Sequence, residues 1–280
     1  MEQTPVIVGP TAGGKTGLAI ALARALIARG QPAEIVTADA FQVYRGMDIG
    51  TAKPTIEERS GIVHHLIDLV GPRERFTASE WLGRAKASIE DCRRRHAVPI
   101  VVGGTHLYVK LLLDGMFEGP GADEVLREEL RAMEPSALRA ELERVDPIAA
   151  ARLHPNDVRR TIRAIEVFRL TGRTISEHQT QWDAVEKGEE AANGERTGAA
   201  EFRLIGLEWP TEAINRRINA RVRLMMERGL LEEVRRLRGE GAFEAEAGQM
   251  NQAREAVGYK QLLAHLEGRC TLDEAVERIK

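Results

Sequence analysis

Short apolar runs alternate with longer, helix-like segments over the first 115 residues of the chain. Strands are predicted at 5–8, 34–38, 65–69 and 99–102, because each is a short apolar run bounded by turn-forming residues. The segments between them have the apolar spacing or the capping residues of helices; Thr77-Ala-Ser-Glu80, for example, is a capping box. Alternating strands and helices predict an α/β fold built on a doubly wound parallel sheet.

The pattern changes after residue 115. Between 121 and 182 the chain has few β-branched runs, and several prolines separate helical segments, which predicts a helical insertion. The polar Glu/Gly/Ala tract at 184–200 has no apolar period, so we expect a mobile loop there. The insertion is therefore assigned to residues 116–200.

The strand and helix pattern returns at residue 201. Phe202–Trp209 predicts a strand that rejoins the sheet, and a long helix follows Pro210-Thr211. The apolar stripe of that helix, spaced every three or four residues, consists of Ile214, Ile218, Val222 and Met225. We therefore expect one core domain, made of residues 1–115 and 201–280, which the insertion interrupts.

Composition excludes several classes of protein. The chain has no apolar run approaching the roughly 20 residues that span a membrane, and the first strand starts too near Met1 for a signal peptide. The formal net charge of −3 argues against a uniformly basic nucleic-acid-binding coat but allows a local basic groove. Cys92 and Cys270 are far apart and lack metal-site spacing, which favours a reducing compartment. We expect a monomeric cytoplasmic protein.

The most informative local motif is Gly-Pro-Thr-Ala-Gly-Gly-Lys-Thr at residues 9–16. It matches the phosphate-loop (P-loop) pattern G-x-x-x-x-G-K-[ST] and lies between a predicted strand and a predicted helix, as that motif requires. Its glycines let backbone N–H groups surround phosphate oxygens at the positive end of the helix. Lys15 adds a charge for the terminal phosphates, and the Thr16 hydroxyl suits Mg²⁺. The motif predicts a site for a di- or triphosphate.

Asp39 closes the second predicted strand. In a parallel sheet that strand end faces the same crevice as the phosphate loop, so Asp39 could hold a metal ion or accept a proton from a nucleophile. A strand-end aspartate is also a common turn former. The strand at 99–102 ends in Gly103-Gly104-Thr105, without the aspartate that holds Mg²⁺ in ordinary phosphate-loop NTPases.

Further strings accompany the phosphate loop in a fixed order. They are Asp39-Ala-Phe-Gln-Val-Tyr44, Gly46-Met-Asp-Ile-Gly-Thr-Ala-Lys-Pro54, Gly103-Gly-Thr-His-Leu-Tyr108, Val145-Asp-Pro-Ile-Ala-Ala-Ala-Arg-Leu-His-Pro-Asn-Asp157, Arg159-Arg-Thr-Ile-Arg-Ala-Ile-Glu-Val-Phe168, Thr171-Gly172, Arg217-Ile218, Arg221-Val222, Gly229-Leu230 and Val257-Gly-Tyr-Lys260. Together they resemble the tRNA dimethylallyltransferases. A phosphate loop alone is unspecific, whereas this ordered set is highly specific.

The resemblance implies transfer of the prenyl group of dimethylallyl diphosphate to N6 of the adenosine 3′ of the anticodon in tRNA, with release of pyrophosphate. The phosphate loop would hold the diphosphate leaving group, and Asp39 would accept a proton of the adenine amine. Lys15, Mg²⁺ on Thr16 and Arg217 would stabilise charge on the departing oxygen. The implied diphosphate contacts are Gly9, Pro10, Thr11, Ala12, Gly13, Gly14, Lys15, Thr16 and Arg221.

The same resemblance implies a tRNA-binding surface, with the helical insertion closing over the anticodon stem-loop. Its implied contacts are Asp39, Ala40, Phe41, Gln42, Thr105, Arg127, Arg159, Arg160, Thr161, Ile162 and Arg163. Residues alone leave other interpretations open. Arg217 and Arg221 could be solvated surface charges, Phe41 and Tyr44 could be core residues, and Val158, Ile162 and Ile165 are expected to face the insertion core.

The chain departs from the family pattern in three places. Gly13 and Ala40 stand where the family usually has Ser; the first leaves the backbone phosphate contacts intact, and the second removes a hydroxyl that could orient the adenine. Family members normally continue beyond the position of Lys280 through a basic helix. We therefore expect this chain to bind tRNA more weakly than a longer relative.

Two other functions stay open from the residues alone. One is a small-molecule kinase of the same fold, with Asp39 as the base for a hydroxyl group; the other is an RNA-binding module whose phosphate loop has lost activity. His64 and His65 have no carboxylate partner at helical or strand spacing and are assigned structural roles. Arg93-Arg94-Arg95 is expected to be a solvated helix end.

Overall fold

The computed structural model describes residues 3–115, 119–178, 201–245 and 251–280. The chain divides into two compact units, one made of Met1–Leu113 and Gly198–Lys280, the other of Asp114–Thr197. The loop expected at 184–200 lies outside the described residues.

A parallel sheet forms the centre of the first unit. Its strands are β1 Thr4–Val8, β2 Ala33–Ala38, β3 His64–His65, β4 Val98–Gly103 and β5 Phe202–Gly206. Within the described ranges the strand order is β3-β2-β4-β1-β5, and every neighbouring pair is parallel. All six positions of β2 are buried, as expected for a strand covered on both faces. The predicted α/β fold with a doubly wound parallel sheet is confirmed.

The third strand is much shorter than predicted. Leu66 and Asp68 have φ angles of 64° and 56°, in the left-handed region, which turns the chain out of the sheet after His65. The expected strand over 65–69 is therefore wrong. The run has the composition of a strand, but residues with positive φ cannot continue the extended backbone.

Helices make up most of the remaining described segments in both units. The described helices of at least four residues with fully described bounds are α1 Lys15–Ile27, α2 Ile56–Arg59, α3 Ala78–Arg94, α4 His106–Asp114, α5 Glu124–Ala132, α6 Pro135–Val145, α7 Pro147–Arg152, α8 Val158–Thr171, α9 Thr211–Glu227, α10 Leu230–Gly239, α11 Tyr259–Leu266 and α12 Leu272–Glu277. The capping box predicted at Thr77 and Glu80 is present and starts α3. Among the described residues, no helix has the length and apolar character needed to cross a membrane.

Helices α5–α8 belong to the second unit and pack on a core of their own. That core includes Leu130, Leu138, Leu142, Ile162 and Ile165, so the last two residues lie where the sequence predicts. Val158 is 41% exposed, and its expected core position is wrong. Val158 is the first residue of α8, and it lies outside the buried cluster that contains Ile162 and Ile165.

A polar cluster at the start of β2 corrects one further expectation. His65 Nε2 lies 2.6 Å from a carboxylate oxygen of Glu34 on the neighbouring strand. Arg95 donates two hydrogen bonds to the same carboxylate, at 2.6 and 2.9 Å, and holds the pKa of Glu34 at about 2. The partner of His65 is 31 residues away in the sequence, which agrees with a structural role for His65. Arg95, in contrast, is not simply a solvated helix end. Glu34, His65 and Cys92 are near enough to share a metal ion, but Arg95 already neutralises the carboxylate.

A buried carboxylate anchors the loop that follows β2. Glu233, on α10, is 6% exposed. Its oxygens accept hydrogen bonds from the N–H groups of Asp48, Ile49 and Gly50, at 2.9–3.3 Å. They also accept one from the Tyr259 hydroxyl of α11, at 2.5 Å. Desolvation of Glu233 is thus offset by donors from two separate parts of the chain.

A buried ammonium holds the same loop from within. The side chain of Lys53 is 3% exposed, and its Nζ donates to the Tyr44 carbonyl at 2.8 Å. It also pairs with the carboxylates of Asp48 and Asp68, both at 2.6 Å. Residues 44–54 are therefore fixed by charged groups of both signs, which matters because part of this loop lines the site described below.

We predict that Glu233→Gln lowers the free energy of unfolding by about 2 kcal/mol, because one amide group cannot accept all four hydrogen bonds. Urea denaturation of the purified chain measures this change. The matched control is Glu232→Gln, whose side chain is 66% exposed on the same helix and should change stability by no more than about 0.5 kcal/mol. Equal losses for the two variants would contradict the anchoring role of Glu233.

Candidate active site

A cavity of about 490 Å³ lies at the carboxyl ends of the strands in the first unit. Its lining combines the phosphate loop, the ends of β2 and β4, the loop anchored by Glu233 and one face of α9. The residues predicted as site residues that line it are Thr11, Lys15, Thr16, Asp39, Phe41, Gln42, Thr105 and Arg221. Sequence positions separated by up to 210 residues therefore meet in one cavity.

The phosphate loop has the backbone conformation that an anion site needs. Ala12 and Gly14 have φ angles of 59° and 90°, and Gly14 is the N-cap of α1. The Gly13 N–H donates to the Pro10 carbonyl at 3.0 Å and closes the turn. The first N–H groups of α1 have no partner within the helix, so they are available to an anion at its positive end.

Lys15 and Arg221 bring positive charge to the cavity beside this loop. The Lys15 ammonium donates to the carbonyls of Gly9 and Pro10 at 2.9 and 2.8 Å. Burial lowers the pKa of Lys15, the charge of Arg221 lowers it further, and Asp39 raises it. Burial also lowers the pKa of Arg221, and Asp39 opposes that shift. Lys15, Arg221 and Asp39 are thus close enough for their charges to interact.

Backbone hydrogen bonds orient the Asp39 carboxylate. One oxygen, Oδ1, accepts from the N–H groups of Phe41 and Gln42 at 2.9 and 3.2 Å. The N–H of Ala40 donates to the Thr105 hydroxyl, at 3.0 Å. Asp39 therefore shapes a turn and also lines the cavity, so the two interpretations of this residue are compatible.

The close approach of β4 to β2 allows this geometry. A Cβ placed on Gly103 would lie 2.0 Å from the Ala38 carbonyl oxygen, so only glycine fits there. The Thr105 N–H donates to that same carbonyl at 3.3 Å. Gly103 therefore lets Thr105 reach the segment that carries Asp39.

Gln42 is buried and ties the anchored loop to the cavity. Its side-chain amide donates to the Thr51 carbonyl at 3.1 Å, which leaves the amide oxygen to accept a hydrogen bond. Phe41 lines the cavity, whereas Tyr44 is 1% exposed and donates to Gln252 at 3.1 Å. The structure thus places Phe41 at the site and Tyr44 in the core.

The two arginines of α9 lie in different surroundings. Arg221 lines the cavity together with the apolar stripe residues Ile218, Val222 and Met225. Arg217 is outside this lining, and its Nε donates to the Ala12 carbonyl at 2.8 Å, on the phosphate loop. Its predicted contact with a diphosphate stays a prediction, but Arg221 is the arginine that the cavity contains.

The residues predicted to bind tRNA in the second unit differ in exposure. Arg159 and Arg160 are exposed, and Arg160 pairs with Asp157 at 3.0 Å. Thr161 and Ile162 are 2% and 6% exposed, so their side chains face the helical core. A role for these two in tRNA binding would have to involve their backbone.

Arg127 and Arg163 share one buried acid. The Glu166 carboxylate is fully buried, with Arg127 at 2.8 Å and Arg163 at 2.6 Å. It also accepts the Asp123 N–H at 2.8 Å. Glu166 thus fixes the direction of both guanidinium groups and neutralises part of their charge. Their predicted contacts with tRNA are not tested by this geometry.

Sequence reasoning missed three residues that shape the site. Glu233 and Lys53 fix the loop carrying Gly50, Thr51 and Ala52, and these three line the cavity. Trp209 contacts the phosphate loop. A buried Lys or Glu has no local signature, since its partners come from distant segments. The sequence predicts Trp209 at the end of a strand, but that strand ends at Gly206.

The comparisons with known proteins agree with one another. The chain matches the sequence model of the IPP transferase family over residues 42–280. The tRNA dimethylallyltransferase of Anoxybacillus flavithermus is 40% identical over 280 residues, which cover 100% of this chain and 83% of that protein.

Two solved structures extend this similarity to the fold. One is the full-length tRNA isopentenylpyrophosphate transferase of Bacillus halodurans, with a TM-score of 0.65, 36% identity and coverage of 100% of this chain and 82% of that one. The other comes from crystallographic snapshots of a eukaryotic dimethylallyltransferase acting on tRNA; its TM-score is 0.78 at 27% identity, covering 100% of this chain and 66% of that one. The resemblance drawn from the motifs is therefore confirmed, and the chain belongs to the IPP transferase family.

Proposed function

We propose that this chain transfers the dimethylallyl group of dimethylallyl diphosphate to N6 of the adenosine 3′ of the anticodon in tRNA and releases pyrophosphate. One observation carries the proposal: an anion site and a carboxylate base line the same cavity, with Lys15, Thr16 and Arg221 beside Asp39. Membership of the IPP transferase family supports the choice of substrates.

The phosphate-loop side of the cavity suits the donor. Backbone N–H groups at the start of α1, Lys15 and Arg221 would bind the diphosphate, whose charge also relieves the repulsion between the two cations. Thr16 lines the cavity, and its hydroxyl together with diphosphate oxygens would offer the all-oxygen donor set that Mg²⁺ prefers. Bound Mg²⁺ would offset negative charge on the leaving diphosphate.

The opposite side suits the acceptor. A base flipped from the anticodon loop could bring its amine to Asp39, while Phe41 offers a ring for contact and Gln42 an amide oxygen for a base edge. The adenine amine is a weak nucleophile because its lone pair is delocalised into the ring. Positioning by the cavity walls therefore matters as much as the basicity of Asp39.

The reaction balances within these residues. The amine nitrogen forms a bond to the allylic carbon, and the carbon–oxygen bond to the diphosphate breaks with its electron pair on oxygen. The displaced amine proton goes to Asp39. Negative charge appears on the departing oxygen, where the loop N–H groups, Lys15 and Arg221 stabilise it.

The second unit would supply the tRNA clamp. Arg159 and Arg160 are exposed and available to phosphates, whereas Arg127 and Arg163 are fixed on Glu166. Monomeric state and cytoplasmic location stay predictions from the sequence. The kinase alternative has no acceptor-phosphorylation motif in its favour, and the family comparison supports prenyl transfer.

We predict that Asp39→Asn lowers kcat for prenyl transfer by about 10²–10⁴-fold, because the amide is not a base. The substituted side chain keeps an oxygen that can accept the N–H groups of Phe41 and Gln42, so the loop should keep its shape. The assay contains the chain, Mg²⁺, unmodified tRNA and dimethylallyl diphosphate, and mass spectrometry detects prenylated adenosine. Parallel reactions contain ATP in place of the prenyl donor.

Prenylated adenosine that is lost with Asp39→Asn, while pyrophosphate binding is retained, supports the proposal. Phosphate release from ATP without a prenylated product would favour the kinase. Full activity of Asp39→Asn would contradict the assignment of Asp39 as the base.

We also predict that the chain binds pyrophosphate more weakly as the pH becomes alkaline. Anion binding uses the charged form of Lys15, whose pKa lies below its ordinary value of 10.5 because of burial. Affinity should therefore fall as pH rises through that lowered pKa, at a lower pH than for an exposed lysine. Lys15→Arg stays charged and should lack this loss; calorimetry from about pH 7 to about pH 10 compares the two. The ionisation of pyrophosphate affects both proteins equally, so identical profiles would contradict the prediction.

A further inference from the structure

The connection between β5 and α9 lies against the phosphate loop. Leu207 continues the pairing with β1, its N–H donating to the Val8 carbonyl at 2.9 Å. Two residues later, the indole N–H of Trp209 donates to the Gly13 carbonyl at 3.0 Å. Trp209 is 36% exposed, so this contact is made at the surface of the unit rather than in its core.

The Trp209 ring also contacts a cationic side chain. The Arg217 guanidinium carbon lies 4.4 Å from the centre of the ring, a cation–π distance. The Nε of Arg217 donates to the Ala12 carbonyl at 2.8 Å. Trp209 and Arg217 therefore hold consecutive carbonyl oxygens of the phosphate loop and contact each other.

These contacts act on the side of the loop opposite to its anion-binding groups. In a trans peptide the C=O and N–H point in opposite directions, so fixing the Gly13 carbonyl also fixes the direction of the Gly14 N–H. Hydrogen bonding to the carbonyl polarises that N–H further. Gly14, the N-cap of α1, has a φ of 90°, which glycine adopts freely. The φ of 59° at Ala12 is unfavourable for other residues, so contacts with the carbonyls of Ala12 and Gly13 help to hold the loop in this conformation.

Two contacts decide where the Arg217 charge lies. The Ala12 carbonyl holds its Nε, and its guanidinium carbon lies over the Trp209 ring. Its terminal nitrogen Nη2 is 3.8 Å from the position that a Cβ on Gly14 would take. Arg217 is outside the cavity lining, yet its charge is held beside the amide at the start of α1.

We propose that Trp209 is a positioning residue for the diphosphate: it fixes the peptide group that presents the Gly14 N–H and holds the Arg217 guanidinium against the phosphate loop. This role rests on the proposed function, because it concerns the same donor site. Trp209 is not among the residues that line the cavity and would act through Gly13 and Arg217.

The experiment measures binding of inorganic pyrophosphate with Mg²⁺ by calorimetry, and then steady-state prenyl transfer. Trp209→Leu removes both the N–H and the aromatic ring and should weaken pyrophosphate binding about tenfold. Trp209→Phe keeps a ring for Arg217 but removes the N–H, and should weaken binding about threefold. The matched control is Leu204→Ala on β5, whose side chain is 56% exposed and whose loss should leave binding unchanged.

Kinetics separate positioning from folding. Trp209→Leu should raise KM for dimethylallyl diphosphate about tenfold, with KM for tRNA unchanged. A loss of folded protein would instead lower kcat and leave both KM values unchanged. In an Arg217→Gln background, Trp209→Leu should weaken pyrophosphate binding only about threefold. This remaining effect is the loss of the indole N–H, because the cation over the ring is already absent.

Each outcome decides between the proposals. Tight pyrophosphate binding by the wild-type chain with unchanged binding by Trp209→Leu would overturn the role of Trp209 and leave the proposed function intact. No pyrophosphate binding by the wild-type chain would overturn the proposed function and this role together. A rise in KM for tRNA alone would also contradict the positioning of the diphosphate.

Discussion

Parallel pairing of β1, β2 and β4 brings three unlike chain segments to one edge of the sheet. The phosphate loop follows β1, Asp39 follows β2, and Gly103 ends β4. The approach of Gly103 to Ala38 is so close that no side chain fits between them. Every feature of the candidate site depends on this edge, because the backbone positions the anion-binding loop and the carboxylate before any substrate is present.

The charges at this edge explain why the cavity suits an anion. Lys15 and Arg221 are both partly buried and repel each other, and burial lowers the pKa of each. Asp39 opposes both of these pKa shifts with a single negative charge. In the proposed reaction a bound diphosphate would compensate the charges of Lys15 and Arg221, and Asp39 would then interact with the acceptor amine.

The sequence predicts much of this arrangement because several signals are local. The phosphate loop is a contiguous motif, and the capping box at Thr77 lies within one helical turn. Asp39 is found because it closes an apolar strand. The stripe of Ile218, Val222 and Met225 follows helical periodicity and proves to be a wall of the cavity.

Other features depend on distant partners, which spacing alone does not reveal. His65 pairs with Glu34 across two strands, and Glu233 binds a loop more than 180 residues earlier in the chain. Positive φ angles at Leu66 and Asp68 end β3 early, although the composition of this segment is that of a strand. Arg221 lines the cavity and Arg217 does not, although the two are four residues apart on one helix. Helical spacing does not predict this difference, because it depends on the direction of each side chain.

The proposed reaction requires that the loop bind a diphosphate leaving group and that the carbon–oxygen bond break. The most direct test uses dimethylallyl diphosphate labelled with oxygen-18 at the bridging position between carbon and phosphorus, incubated with the chain, Mg²⁺ and unmodified tRNA. We predict that phosphorus NMR finds the label in the released pyrophosphate, in proportion to prenylated adenosine. Unlabelled phosphate products with unmodified tRNA would show that a phosphorus–oxygen bond breaks and would contradict this account.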